Sequence, residues 1–130
     1  MINRIRIIYI LIFISIIFGN IDDTEILLSK GIEDLYNYQF SASIQKLDSV
    51  LLIDPKHPIP KFLIIVNNWL LQQTHYGYEQ SYIAIKEGLQ DAIPFYEKLI
   101  VENPNNNEYK LFLGSTYGLQ ARISLASKEW

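Results

Sequence analysis

The sequence predicts an all-α protein built of antiparallel helical hairpins. Apolar residues recur at three- and four-residue spacings beyond residue 20, Asp-Pro and Asn-Pro breaks punctuate them, and no stretch alternates with period two. At 130 residues there is room for one such domain behind a short leader.

The leader opens with the basic Met1-Ile-Asn-Arg-Ile-Arg6, continues as the apolar run Ile7 to Phe18, and exits through Gly19-Asn20 to Asp22-Asp23. Basic, apolar and polar segments in that order form a secretory signal, and the run is short of the ~20 residues that span a bilayer. Cutting after Gly19 places Ile17 where a small residue is preferred, so retention as an anchor is the alternative. Residues 1–20 are therefore read as a signal peptide or membrane anchor and 21–130 as the helical domain. The expected location is exported: periplasm or cell envelope, with a membrane tether through residues 7–18 if the leader stays.

Charge narrows the partners. The chain carries −3 overall, and without Arg4 and Arg6 nine basic residues face fourteen acidic ones, a net of −5. Nucleic acid is not an expected partner, because its phosphates call for a clustered positive surface. The absence of cysteine removes disulfides, thiolate chemistry and a lipidated anchor.

Four helical stretches and a fifth that is interrupted follow. Ile26, Leu27, Ile32, Leu35, Tyr36 and Tyr38 suit one face of a first helix capped by Asp22, Asp23 or Thr24, with a break near Asn37 to Gln39. Ile44, Leu47, Val50 and Leu51 mark a second from Ser41 to Ile53, ended by Asp54-Pro55. A third runs from about Ile59 to Gln72 with Pro58 or Pro60 in its first turn, and Thr74 to Tyr78 reads as a turn. Helix resumes near Gln80 and ends at Asn103-Pro104, with Gly88 and Pro94 predicting a kink or a fresh start at Asp91. The last begins near Asn106 and passes Arg122.

The chain also matches itself. A shift of 49 positions lays Phe40-Ser-Ala-Ser-Ile-Gln-Lys-Leu47 on Leu89-Gln-Asp-Ala-Ile-Pro-Phe-Tyr96, and Asp54-Pro55 on Asn103-Pro104. In both copies a small residue (Ser43, Ala92) precedes a large one (Leu47, Tyr96) by four positions, and proline follows eight later. This resembles the second helix of a tetratricopeptide repeat, a pattern of A-x3-F followed by P. The first-helix half is similar in Leu113-Gly114-Ser-Thr-Tyr117, and Gly31 holds the same glycine position, although Lys30 and Asp34 depart from the pattern around it. The resemblance covers about residues 24 to 130. A period of 49 rather than ~34 implies about fifteen further residues around Thr74 to Gly88, as in a divergent bacterial type with a lengthened middle hairpin.

The resemblance implies a short α-solenoid whose first helices line a concave, partner-binding surface. Its register puts Leu28, Ile32, Leu35 and Tyr36 there, then Phe62, Val66, Trp69 and Leu70, then Leu111, Ser115 and Leu119. Tyr36, Phe62 and Trp69 are the candidate anchors for a protein or peptide, since aromatic side chains dominate interface energetics. The competing reading is that these aromatics pack between helices.

Lys128-Glu-Trp130 falls where the partner of the last helix would begin, so the chain is expected to be a truncated array, the N-terminal part of a longer repeat protein. Otherwise the face of Leu111, Leu113, Tyr117 and Ile123 docks something, self-association included. A membrane-tethered structural scaffold is the other functional alternative. No phosphate loop, metalloprotease motif or serine elbow is present, so a binding module without cofactor is expected rather than an enzyme. His57 and His75 lie at separate breaks with no adjoining acidic pair, which suits solvated side chains rather than metal ligands.

Overall fold

A computed structural model describes residues 23–127, so the leader (1–20, with its apolar run 7–18), Asp22 and Trp130 lie outside the described residues. Within them the chain is all-α: α1 occupies residues 23–36, α2 Phe40–Ile53, α3 Pro58–Tyr76, α4 Tyr78–Glu102 and α5 Asn107–Ser127, and no strand occurs. From α2 onward each helix packs on the next, and α3 also meets α5.

Local chemistry explains the breaks. At the end of α1, Gln39 N–H donates to the Asp34 carbonyl at 2.8 Å and Tyr38 N–H to the Leu35 carbonyl at 3.1 Å. This crossed pair closes a helix around a left-handed residue, here Tyr38 at φ 59° where glycine is usual. The next connection is built on Asp54, whose N–H closes on the Val50 carbonyl at 2.8 Å. His57 then caps α3, its Nδ1 accepting from Ile59 N–H at 3.3 Å, ahead of Pro58 at the first helical position. The turn repeats 49 residues on: Asn103 N–H closes on Leu99 at 2.9 Å, and Asn106 Oδ1 accepts from Glu108 N–H at 2.9 Å and Tyr109 N–H at 3.3 Å. Both connections are thus one structure with different capping side chains.

Two expectations fail in the middle hairpin. The turn over Thr74 to Tyr78 is helical as far as Tyr76, and one residue, Gly77, joins α3 to α4. Thr74 follows the helix by donating its hydroxyl to the Leu70 carbonyl at 2.7 Å. Gly77 reverses the chain alone because its φ of 89° and ψ of −172° lie where only glycine is comfortable. Nor does a fresh helix start at Asp91: α4 runs unbroken through Gly88 and Pro94. Pro94 is exposed, and its ring removes only the N–H that would have bonded the Gln90 carbonyl. The additional length of this hairpin is therefore helix, with α3 at 19 residues and α4 at 25 against 14 in α2.

Packing carries the 49-residue repeat into three dimensions. The buried hydrophobic or small positions of α2 are Phe40, Ser43, Leu47 and Val50; on α4, Leu89, Ala92, Tyr96 and Leu99 stand at the corresponding places. Ser43 and Ala92 are fully inaccessible to solvent, as the spacing predicts. At the first hairpin, Ser43 donates to the Gly31 carbonyl at 2.6 Å, and Leu47 lies so close to Gly31 that a Cβ there would be 3.3 Å from it. At the second the roles reverse: Ile65 of α3 occupies the space left by Gly88 of α4.

Two cores result. Leu28, Leu47 and Val50 gather Ile59, Leu63 and Ile64 of α3. The larger joins Ile65, Ile85, Leu89, Ala92, Tyr96 and Leu99 to α5. Inside it Tyr96 stacks on Phe112 at 6.1 Å and donates its hydroxyl to the Pro58 carbonyl at 2.6 Å. Asn67, also fully buried, gives its amide to the Leu63 carbonyl at 2.9 Å, while its Oδ1 has no partner among the described residues.

The glycines separate packing from propensity. A Cβ at Gly88 would lie 2.7 Å from Ile65 Cγ1, whereas at Gly114 it would meet nothing within 4 Å among the described residues. Alanine gains about 1 kcal/mol over glycine inside a helix, and overpacking costs about 1–3 kcal/mol. Gly88→Ala is therefore expected to lower stability by about 1 kcal/mol and Gly114→Ala to raise it by about 0.5–1 kcal/mol, read by thermal or urea unfolding.

Burial pushes the Tyr96 phenol well above its ordinary value. The folded state then keeps its proton when the unfolded chain begins to ionise, so stability present at neutral pH is lost as pH rises above about 10. Tyr96→Phe should cost about 1 kcal/mol near neutrality through the lost hydrogen bond. It should also make the alkaline decline shallower in a pH series of unfolding curves.

Candidate protein-interaction surface

The three aromatic candidates fall into two settings. Tyr36, in the last turn of α1, is 79% exposed. Phe62 and Trp69 share one side of α3 and are half-buried against α5. The Phe62 ring lies 5.7 Å from that of Phe112. Arg122 of α5 sits over the Trp69 ring at 4.9 Å, and the indole N–H donates to Gln73 Oε1 at 2.9 Å. Phe62 and Trp69 are thus brought together, and much of each ring packs between helices; Tyr36 presents its ring to solvent.

Tyr38, expected on the apolar face of the first helix, instead lies beyond the end of α1 in the turn, because its backbone is left-handed. It is 77% exposed, two residues from Tyr36, and its ring meets Phe40 edge-on at 6.0 Å. Its left-handed backbone holds the side chain outward at the turn, a conformation costing an L-residue about 1–2 kcal/mol. The only signal in sequence was the crowding of Tyr36, Tyr38 and Phe40 at a helix break.

The other residues of the expected surface divide similarly. Leu28 is buried in the smaller core. On α5, Leu111 is exposed, Leu119 packs on the larger core, and Ser115 returns its hydroxyl to the Leu111 carbonyl at 2.9 Å. The face expected to be uncovered separates too: Leu113 and Ile123 pack against the larger core, while Leu111 and Tyr117 remain exposed. Tyr117 donates its hydroxyl to Glu97 Oε1 at 2.9 Å, which raises its pKa.

A cleft of about 880 Å³ lies between α4 and α5, walled by Tyr82, Ile83, Ile93 and Ile123, with Glu79 and Lys86 at its margin. It occupies the halves of these helices far from their connection, so the lengthened α4 supplies most of one wall.

Ion pairs fasten the helices behind these surfaces. Lys46 pairs with Asp34 across α1 and α2, and Lys61 with Asp91 across α3 and α4. Lys56, in the first repeat turn, bonds Glu102 at the end of α4 at 2.7 Å. That hydrogen bond holds the Glu102 carboxyl below its usual range and the Lys56 ammonium above its own. Both groups are solvated, so the contact orients the turn more than it stabilises the fold.

His57 is a helix cap and His75 lies exposed in the last turn of α3 rather than in a loop. Among the described residues no three His, Asp or Glu side chains converge as a metal site would need. No helix among them is long and apolar enough to cross a membrane. Comparison with protein-family models, curated proteins and solved structures yields no match to this chain.

Relief of the strain at Tyr38 should be measurable. Tyr38→Gly is expected to stabilise the fold by about 0.5–1 kcal/mol, the gain at a left-handed position less the entropy glycine loses on folding. A melting temperature that falls instead would show that the edge-on contact with Phe40 outweighs the backbone cost.

Proposed function

We propose that this chain is an exported helical-repeat module of the tetratricopeptide type that binds a protein or peptide partner. The observation carrying the reading is the coincidence of buried positions at 49-residue spacing, Phe40 with Leu89, Ser43 with Ala92, Leu47 with Tyr96 and Val50 with Leu99. Identical turn chemistry at Asp54 and Asn103 supports it, as does the meeting of α3 with α5, the first helices of successive pairs. A stack of this kind forms an α-solenoid and offers its first helices to an extended partner. Tyr36, with Tyr38 beside it, supplies aromatic area that its own fold leaves uncovered. Phe62 and Trp69 shape the neighbouring surface through their packing on α5.

Binding is the role this scaffold suits, since the prominent exposed side chains among the described residues are tyrosines and leucines. The apolar run Ile7 to Phe18 favours one second reading. If it is retained, the domain is a membrane-tethered scaffold of an envelope complex.

Tyr36 and Tyr38 decide the matter, because replacing them spares the core. The double variant Tyr36→Ala, Tyr38→Gly should keep its helical circular dichroism yet lose at least tenfold of its recovery of the partner in cross-linking from envelope extract, a loss of about 1.4 kcal/mol or more in binding. Recovery equal to the unmodified protein's would overturn the assignment of this surface. Mass measurement of the mature N-terminus separates the free module from the tethered scaffold.

A further inference from the structure

The chain has two histidines, and they sit at opposite ends of one helix. His57 caps the start of α3, its Nδ1 accepting the Ile59 N–H at 3.3 Å. His75 lies exposed in the last turn of the same helix. Histidine is the side chain that ordinarily changes its charge between about pH 5 and pH 8. The two ends differ in what they join. The first turn of α3 ties the cores together, because Ile59 belongs to the smaller one and the Pro58 carbonyl receives the Tyr96 hydroxyl from the larger at 2.6 Å. The last turn leads only to Gly77 and α4.

A second proton acts oppositely at the two places. On His57 it occupies Nδ1, the atom that accepts from Ile59, and it puts a cation at the positive end of the helix dipole. On His75 it puts a cation at the negative end. No carboxylate among the described residues lies within ion-pairing distance of either ring. Around His57, Lys56 is held by Glu102 of α4, and Asp54 accepts from the Lys56 N–H at 3.1 Å. Tyr96 of α4 and Tyr109 of α5 are phenols, neutral at these pH values, and α1 opens with Asp23 and Glu25. Near His75 are Tyr76, its ring 6.1 Å away, and Tyr78 and Glu79 beyond the turn; Arg122 of α5 is engaged with Trp69.

We propose that mild acid redistributes order along α3, releasing its first turn and with it the joint between the two cores, while firming its last turn. The cap requires a neutral imidazole, so at this position the unfolded chain takes up more protons than the folded one. The stability that the cap contributes is therefore present above about pH 6.5 and lost as the pH falls. At His75 the folded chain takes up more, and stability is gained over the same range. The two changes offset each other in the whole molecule and separate only along the helix. This device is independent of the binding reading at Tyr36, since it lies wholly within the fold.

Thermal unfolding of the full chain at about pH 7.5 and about pH 5.5 tests it. His57→Asn keeps a capping acceptor that does not titrate. Its melting temperature should fall about 2–4 °C less than the parent's between those two conditions. His75→Gln, which cannot carry the favourable charge, should fall about 1–2 °C more than the parent. Carboxylates titrating in the same range act equally on all three chains and cancel in the comparison. By NMR, the exchange protection of the Ile59 amide, corrected for its intrinsic rate, should drop about threefold or more in the parent on acidification and hold in His57→Asn. A His57→Asn response equal to the parent's overturns the inference. So does undiminished protection at Ile59 in the parent, or a His75→Gln response equal to the parent's.

Discussion

The close approach of helix backbones, secured wherever a side chain is reduced to almost nothing, is the constraint on which the rest of this structure depends. Ser43 and Ala92 are fully buried at equivalent places in their hairpins. Gly31 and Gly88 each leave a space that a branched aliphatic side chain of the facing helix enters. Because interiors are packed like crystals, such a fit tolerates little change of volume on either side. The two hairpins solve the same problem with opposite assignments of knob and hole. That difference also fixes what each first helix can accept.

Much of the architecture was legible in the residues. The spacing of Ile44, Leu47, Val50 and Leu51 marked α2 to within a residue of its start, and Asp54-Pro55 and Asn103-Pro104 marked its end and that of α4. The lengthened middle hairpin followed from the 49-residue period. What escaped was long-range or conformational. One glycine at φ 89° can reverse the chain, so Thr74, His75 and Tyr76 stayed helical where a longer turn was expected. Gly88 read as a break because glycine is a poor helix former, but its place is set by Ile65 across the interface. A proline within a helix costs less when its face is solvated, as at Pro94.

The candidate surface was legible only in part, for a related reason. Tyr36, Phe62 and Trp69 look alike as apolar aromatics at helical spacing. Their difference arises from α5, which comes back over α3 and covers Phe62 and Trp69 with Phe112 and Arg122. Residue type alone cannot show which ring a distant helix reaches. Tyr38 escaped for a local reason: glycine is the usual residue at a left-handed helix end, and none is present there.

The two faces of α3 have a consequence for the order in which the chain becomes structured. Ile59, Leu63 and Ile64 complete the core begun by α1 and α2, whereas Phe62, Ile65 and Trp69 belong to the core shared with α4 and α5. During synthesis α1 and α2 leave the ribosome with their apolar positions only partly matched. They gain their third wall when the first half of α3 emerges, and α3 in turn waits for the long α4. The nascent protein thus passes through stages in which one apolar face is awaiting its successor, and a chaperone met before α4 appears would find a chain not yet committed to its fold.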